Sequence, residues 1–153
     1  MKKLYFLLCI VMIACTSSFA QKGTKSIGGN LVFQTDGSTM GIGAKFRYNI
    51  TDPIRIEPSL TYYFVDGVTS LDANINGHYV FNFKNNFSAY PLAGMVIYHS
   101  SVDGYSATNV GLNLGGGAEY HINQKWAVGA EAKYAIVKNY ASFFINLGFT
   151  YSF

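Results

Sequence analysis

Residues 143–153 alternate between two kinds of side chain along most of their length. The odd positions are large and apolar or aromatic, namely Phe143, Ile145, Leu147, Phe149, Tyr151 and Phe153. From Asn146 onward the even positions are small or polar, namely Asn146, Gly148, Thr150 and Ser152. Because successive side chains of a β-strand point to opposite faces, this pattern predicts a strand with one apolar face and one polar face.

The same alternation recurs through the rest of the chain and predicts eight strands in all. They lie at 26–34, 39–49, 54–65, 70–83, 87–98, 108–122, 126–137 and 140–153. The fifth is apolar on both faces, so the sequence leaves its register open. We therefore expect one all-β unit, an eight-stranded antiparallel up-and-down β-barrel.

Short polar connections separate the predicted strands. Those at 51–53, 84–86 and 123–125 contain Asn, Asp or Pro, residues that favour tight turns. In a membrane barrel with both termini in the periplasm, these three face the periplasm and are the shorter set. The outward connections are predicted at 35–38, 66–69, 99–107 and 138–139, and only the third exceeds a handful of residues.

A β-barrel of this kind is either a soluble ligand binder with an apolar lumen or a membrane barrel with an apolar exterior. Composition helps to distinguish the two. Charged residues make up 12% of the chain, about half of the roughly 25% of a soluble domain. Every charge within a predicted strand shares its face with small residues, including several glycines, as the narrow lumen of eight strands requires. We therefore expect a transmembrane β-barrel, with a soluble lipocalin-like ligand binder as an alternative.

A secretory signal peptide is predicted at the start of the chain. Two lysines follow Met1, an unbroken apolar run covers 4–14, and Ser18-Phe19-Ala20 offers small residues to a signal peptidase. The run is too short to span a membrane as a helix, which needs ~20 apolar residues. Cleavage after Ala20 makes residues 1–20 the signal peptide and 21–153 the barrel domain.

Both cysteines lie within this signal region. Cys15 ends the sequence Met-Ile-Ala-Cys, which resembles a weak lipoprotein box and leaves acylation of Cys15 as an alternative. If cleavage follows Ala20, both Cys9 and Cys15 are removed. The predicted mature chain then has no cysteine for disulfide or thiolate chemistry. Without Lys2 and Lys3 it has nine basic and eight acidic residues and no basic run. We therefore expect no nucleic acid as a partner.

These features resemble the small eight-stranded outer-membrane β-barrel, or porin-family, proteins of Gram-negative bacteria, akin to the transmembrane domain of OmpA. The resemblance rests on Phe149-x-Tyr151-x-Phe153, the strand at 128–134 and the glycine-rich strand at 111–120. It implies an integral protein of the cell outer membrane, in contact with outer-membrane lipid. It also implies that Phe149, Tyr151 and Phe153 form an assembly signal read by the barrel-assembly machinery. We expect a monomer without the peptidoglycan-binding domain of OmpA.

Aromatic residues near the ends of the predicted strands form a second candidate group. In membrane barrels such residues make girdles at the two membrane interfaces, where their rings contact both lipid and water. The candidates on the apolar faces are Tyr48, Tyr62, Tyr79, Trp126 and Tyr134. We expect them to mark the two edges of the membrane.

The predicted lumen face carries four basic and four acidic residues. The basic residues are Lys45, Arg47, Arg55 and Lys133, and the acidic residues are Glu57, Asp72, Glu119 and Glu131. Arg47 and Glu57 are expected to be cross-strand neighbours. Because a buried charge needs a partner, the equal numbers predict a self-neutralised lumen charge network that plugs the barrel. The alternative is a porin-like channel for ions or very small solutes, whose conductance depends on breaking such pairs.

The sequence gives little support for catalysis or for a metal or cofactor site. Residues 99–101 and Asp103 include the residue types of outer-membrane lipid-modifying enzymes, but neighbouring residues of a strand point to opposite sides. They seldom form a nucleophile–base pair. His78 and His121 lie on different strands without metal-ligand spacing. We therefore expect a structural or surface-interaction protein and not an enzyme.

Overall fold

The computed structural model describes residues 22–138 and 140–153. The strands are β1 (Lys25–Gln34), β2 (Thr39–Asn49), β3 (Ile54–Val65), β4 (Val68–Tyr79), β5 (Phe81–Asn82), β6 (Phe87–Val102), β7 (Tyr105–His121), β8 (Trp126–Val137) and β9 (Tyr140–Ser152). The predicted signal peptide and Cys15 lie outside these residues. The described part of the chain contains no helix that is long and apolar enough to cross a membrane.

The sheet closes on itself, because the first strand pairs with the last. The closing register aligns Ser26 with Ser152, whose hydroxyl groups are hydrogen-bonded at 2.8 Å. β4 and β5 pair with β6 in one continuous register and are interrupted only at Val80. They are one barrel strand, so the closed antiparallel barrel has eight strands. The predicted fold class is confirmed.

The barrel is apolar outside and largely polar inside. Large side chains near the middle of the strands face outward, with exposed fractions of 52–58% for Leu31, Ile42, Leu60, Ile75 and Leu147. The alternate positions point inward and are buried. A soluble ligand-binding barrel has the opposite arrangement, so the exposed apolar belt contradicts the lipocalin-like alternative and fits a barrel surrounded by lipid.

β6 is apolar on both faces because part of its lumen face is packed against other apolar side chains. Near one end of the barrel, Tyr90 and Leu92 form a buried cluster with Val80. Near the other end, Val96 and Tyr98 belong to a second buried cluster. The pairing of β6 with β4 and β7 fixes the register that the sequence left open.

We call the end with both described termini the periplasmic end, as expected above, and the opposite end the external end. The predicted external loop at 99–107 is wrong, because β6 and β7 continue through it to the turn Asp103-Gly104. Both turn residues have positive φ, 47° and 84°, the geometry of a type I′ turn, which Asp-Gly favours. The predicted loop at 66–69 shortens in the same way to Asp66-Gly67.

External connections are therefore no longer than periplasmic ones, contrary to prediction. The periplasmic connections 50–53, 83–86 and 122–125 each contain four residues. The external region is instead extended by the β6–β7 hairpin. β7 first pairs with β8 at Gly111, opposite Val137, so no described strand covers the outer edge of residues 105–110. On its other side the hairpin is covered by β4, which pairs with β6 as far as Ser101, so only one edge of the hairpin is open.

Candidate functional site: the lumen charge network

The strand alternation places the predicted lumen charges inside the barrel. Lys45 is partly exposed, and the other seven are at most 6% exposed, namely Arg47, Arg55, Glu57, Asp72, Glu119, Glu131 and Lys133. Burial at this level removes most of the hydration that stabilises a charge, so each group depends on partners within the lumen.

Four of these residues form a chain of ion pairs near the periplasmic end. Arg47 donates through Nε to Glu57 and through Nη1 to Glu119 Oε2, at 2.8 Å in the second case. Arg55 Nη2 donates to Glu119 Oε1 at 2.6 Å. In the closed sheet β7 lies four strands from β2. Glu119 therefore links opposite walls across the lumen.

Two rings extend this chain of ion pairs. Arg55 Nε and Nη2 lie 3.1 and 3.0 Å from His78 Nδ1. The imidazole of His78 stacks on the ring of Tyr90, with centroids 4.3 Å apart and an interplanar angle of 12°. The Arg55 guanidinium also lies 4.8 Å from the Tyr90 ring centroid, within the range of a cation–π contact. Tyr90 was not among the predicted site residues, because the apolar character of β6 concealed its lumen position.

The remaining buried charges are held by neutral groups. Glu131 accepts hydrogen bonds from Tyr90 Oη and Asn146 Nδ2, both at 3.0 Å. Asp72 accepts from Tyr63 Oη at 2.5 Å and Asn74 Nδ2 at 2.7 Å. Both acids therefore have partners without an opposite charge.

Lys133 lies in this neutral part of the lumen. Its Nζ donates to Asn74 Oδ1 at 3.1 Å and stands 5.7 Å from the ring centroid of Phe144. Among the described residues, direct ion pairs between these charges join only Arg47, Arg55, Glu57 and Glu119. Direct ion pairs therefore do not link all eight charges. Asn74 and Asn146, which the sequence analysis did not select, carry much of the pairing.

An apolar tier fills the lumen nearer the external end. Phe144 is fully buried, and its ring centroid lies 6.2 Å from those of both Tyr63 and Tyr98. Val32 and Val96 are buried in the same cluster. From the periplasmic end outward, the lumen therefore passes from ion pairs through Asn side chains to aromatic rings.

Little free space remains beside the ion pairs. The cavity bordered by Arg47, Tyr90, Glu119 and Glu131 has a volume of about 10 Å³. That is close to the smallest volume that holds one water molecule.

Glu57, His78 and Glu131 bring three potential metal-ligand atoms within 4.8 Å of one another. The surrounding chemistry does not suit a cation. A guanidinium has only donors, so the contacts from Arg55 make His78 Nδ1 an acceptor, and we infer that the ring hydrogen is on Nε2. That nitrogen then has no lone pair for a metal, and it faces Glu57 Oε1 at 3.9 Å. Two arginine charges nearby further oppose a metal ion.

Residues outside the lumen lie as follows. His99 Nδ1 is 3.0 Å from Thr108 Oγ1 on the exposed part of the β6–β7 hairpin. All five candidate girdle residues point outward with exposed fractions of 39–46%, namely Tyr48, Tyr62, Tyr79, Trp126 and Tyr134. Phe149 and Phe153 are also on the surface, 51% and 64% exposed. The Phe153 N–H donates to the Lys25 carbonyl at 3.0 Å.

A closed barrel with an apolar belt outside and paired charges inside belongs to the class of transmembrane β-barrels. The chain belongs to the family described as "Outer membrane protein beta-barrel domain", whose sequence profile matches residues 6–153. The resemblance found in the sequence is thereby confirmed, and the protein is integral to the outer membrane. A search of curated proteins finds no match to the sequence.

Solved structures of small outer-membrane barrels are similar in fold. The N-terminal β-barrel domain of Pseudomonas aeruginosa OprF superposes with a TM-score of 0.76 at 16% identity, covering 86% of this chain and 98% of that one. Yersinia pestis Ail, the attachment invasion locus protein, gives 0.60 at 20% identity, covering 87% and 100%. Pseudomonas aeruginosa OprG gives 0.64 at 15% identity, covering 90% and 99%. At these identities the likeness concerns the fold alone.

Proposed function

We propose that the protein is a closed, monomeric outer-membrane barrel with a structural or surface-interaction role. The observation that carries this proposal is the filling of the lumen at two successive levels. The Arg47–Glu119–Arg55 bridge crosses it near the periplasmic end, and Phe144 occupies it near the external end. Catalysis is not part of the proposal.

The two levels resist permeation for different physical reasons. A passing ion would have to compete with salt bridges whose members are already desolvated, and removing one member leaves an uncompensated buried charge. Above them, Phe144 packs against Tyr63 and Tyr98, so a hydrated ion meets aromatic rings without room for its water shell. Both barriers must move for the lumen to conduct.

Planar-bilayer conductance tests this proposal. The wild type should show no steady channel. Arg47→Ala and Glu57→Ala should produce leakage, because each leaves a partner unpaired and creates space. Phe144→Ala should widen the external level, whereas Phe143→Ala, one residue away and facing lipid, is the matched control and should remain silent. A steady open channel in the wild type that Arg47→Ala or Glu57→Ala alters would overturn the closed-barrel proposal.

Slow passage of ions or very small solutes is the second candidate function. Its support is the small polar cavity beside Arg47, Tyr90 and Glu131, which is lined by groups able to replace part of an ion's hydration. This function predicts brief openings of the wild type that become more frequent when Glu119 is neutralised. A wild type that stays closed at all applied voltages would exclude it.

A surface-interaction role would be carried by the β6–β7 hairpin, whose edge at residues 105–110 is open. Ail is the attachment invasion locus protein of Yersinia pestis. Three external turns here carry Asp36, Asp66 and Asp103, against Lys138 in the fourth, and this balance favours a basic partner. Deleting the cross-strand pairs Ser100–Ala107 and Ser101–Ser106 shortens the hairpin while preserving strand alternation. Adhesion of cells displaying the protein to a cationic surface should fall with this deletion. Unchanged adhesion would contradict a role for the hairpin.

A further inference from the structure

A groove crosses the outer face of the barrel from β8 to β4. It is a shallow depression, largely open to its surroundings, with a volume of about 960 Å³. Part of its floor is made by the small residues Gly29, Ala44 and Ala73, with the larger Leu60 between the two alanines. Larger residues stand on both sides, so the depression follows from the distribution of side-chain sizes over an otherwise convex surface.

The groove runs from one edge of the membrane towards its middle. Trp126 begins β8 at the periplasmic end, whereas Ile75 lies near the middle of the interrupted strand β4–β5. Five strand spacings of ~4.8 Å separate β8 from β4, which gives a length of about 24 Å. Because the strands of membrane barrels tilt by about 35–45°, a row across them climbs through the bilayer. The length and slope suit one acyl chain that enters from the periplasmic leaflet.

Two lysines stand at the periplasmic mouth of this groove. Lys25 is exposed and lies two residues before Ile27 on the same outward face of β1. Lys125 directly precedes Trp126. The main chains of the two lysines bond to opposite sides of the end of β9, where Ser152 N–H donates to the Lys125 carbonyl and Phe153 N–H to that of Lys25. Two strand spacings place them about 10 Å apart.

Neither lysine side chain forms an ion pair within the described residues. Asp52, the one acidic side chain of the described periplasmic turns, accepts a hydrogen bond from the Lys22 backbone at 2.9 Å. Lys25 and Lys125 therefore place two positive charges where the groove opens, on the two sides of the end of β9. Trp126 packs against Tyr151 at the same place, with ring centroids 4.9 Å apart, as interfacial aromatic residues do at headgroup level.

We propose that this groove is a binding site for an anionic phospholipid of the periplasmic leaflet. One acyl chain lies along the groove between β9 and β4, over Gly29, Ala44 and Ala73 and beside Leu60. The headgroup phosphate is held between Lys25 and Lys125, whose charges favour an anionic over a zwitterionic lipid.

Trp126 is the single tryptophan of the chain and lies in the groove, so its fluorescence reports on occupancy. The protein is reconstituted into vesicles containing phosphatidylglycerol or phosphatidylcholine, brominated in the upper acyl chain and present at equal mole fraction. Brominated phosphatidylglycerol should quench Trp126 more strongly. Lys25→Gln or Lys125→Gln should each reduce the apparent preference about fivefold, the effect expected of one basic residue near anionic lipid.

Matched variants distinguish a specific lipid-binding site from ordinary lipid contact. Lys84→Gln removes a charge from another periplasmic turn and should leave the preference unchanged. Ala44→Leu fills the groove floor and should abolish the preference, whereas Ala93→Leu adds the same volume to the lipid face of β6 and should not. Equal quenching by the two lipids in the wild type, or a preference that survives Ala44→Leu, would overturn the proposal. So would a dimer in sedimentation analysis that Ala44→Leu dissociates, because a second copy would then be the occupant.

Discussion

The hydroxyl end of Tyr90 occupies the space that a side chain at Gly117 would need. A Cβ placed on Gly117 would lie 2.5 Å from Tyr90 Oη, far inside ordinary contact distance. The two residues are cross-strand partners on β6 and β7. The same hydroxyl donates to Glu131 and lies 3.4 Å from Arg47 Nη2. Absence of a side chain at Gly117 thus allows Tyr90 to reach the ion pairs.

Gly117→Ala should therefore displace Tyr90 and destabilise the barrel. We expect the free energy of unfolding to fall by about 1–3 kcal/mol, the usual effect of overpacking an interior. Gly77→Ala is the matched control, because its Cβ would be 3.6 Å from the nearest atom on the lipid face. That control should change stability by no more than about 0.5 kcal/mol. Urea unfolding in vesicles gives both values, and equal effects would contradict the steric role of Gly117.

Glu119→Ala should be more damaging, because Glu119 accepts hydrogen bonds from two buried arginines. Removing one partner of a buried ion pair typically costs about 3–5 kcal/mol, since the remaining charge is left without compensation. Lys45→Ala, at a partly exposed position without an ion pair in the described structure, should cost less than about 1 kcal/mol. If the two variants unfold at the same urea concentration, the Arg47–Glu119–Arg55 bridge does not stabilise the barrel.

The depth of an outward-facing residue in the bilayer should determine how much a charge at that position lowers the free energy of unfolding. Leu147 and Ile122 are almost equally exposed, at 56% and 57%, but Leu147 lies at mid-strand and Ile122 in a periplasmic turn. Leu147→Lys should cost about 2–4 kcal/mol and Ile122→Lys about 0–1 kcal/mol. Folding titrations in lipid measure the difference. Equal costs would show that the outer belt does not face hydrocarbon.

Phe153→Ser tests whether the terminal aromatic is an assembly signal. Its side chain is 64% exposed, so its loss should reduce stability in vitro only slightly. Outer-membrane abundance in cells should fall much further if the barrel-assembly machinery reads this residue. Tyr105→Ser, at a hairpin position that is 85% exposed, is the control and should leave abundance unchanged. Normal outer-membrane abundance of the Phe153→Ser protein would contradict an assembly role for Phe153.

The inward or outward direction of a side chain could be predicted because lipid imposes it. Outward positions such as Ile42 and Leu147 must be apolar within the bilayer, so apolar and polar residues alternate along each strand of the sequence. The wrong prediction of a loop at residues 99–107 has the same origin, because these residues lie beyond the lipid. Beyond the membrane a strand needs no apolar face, so His99 and its polar neighbours looked like a loop. The Asp103-Gly104 pair was the available sign of a tight hairpin.

The partners of the lumen charges could not be predicted in full. Alternation assigns a residue to a face but not to a height in the barrel, and strand tilt and register decide the height. Arg47 and Glu57 meet because one short turn joins their strands, a local relationship. Glu119 contacts Arg47 from the opposite wall of the barrel, at a separation of 72 residues. No local sequence pattern predicts such a contact.

The seam between β1 and β9 also sets the order of events in folding. Until these strands meet, the sheet has two edges whose backbone groups cannot be satisfied in hydrocarbon. The residues that must meet are distant, since Ser26 and Ser152 are 126 positions apart. Contacts of such long range carry the largest loop-closure entropy and form slowly. Closure has to wait until β9 is made and exported, so we expect the pairing of β1 with β9 to be the slow step of folding.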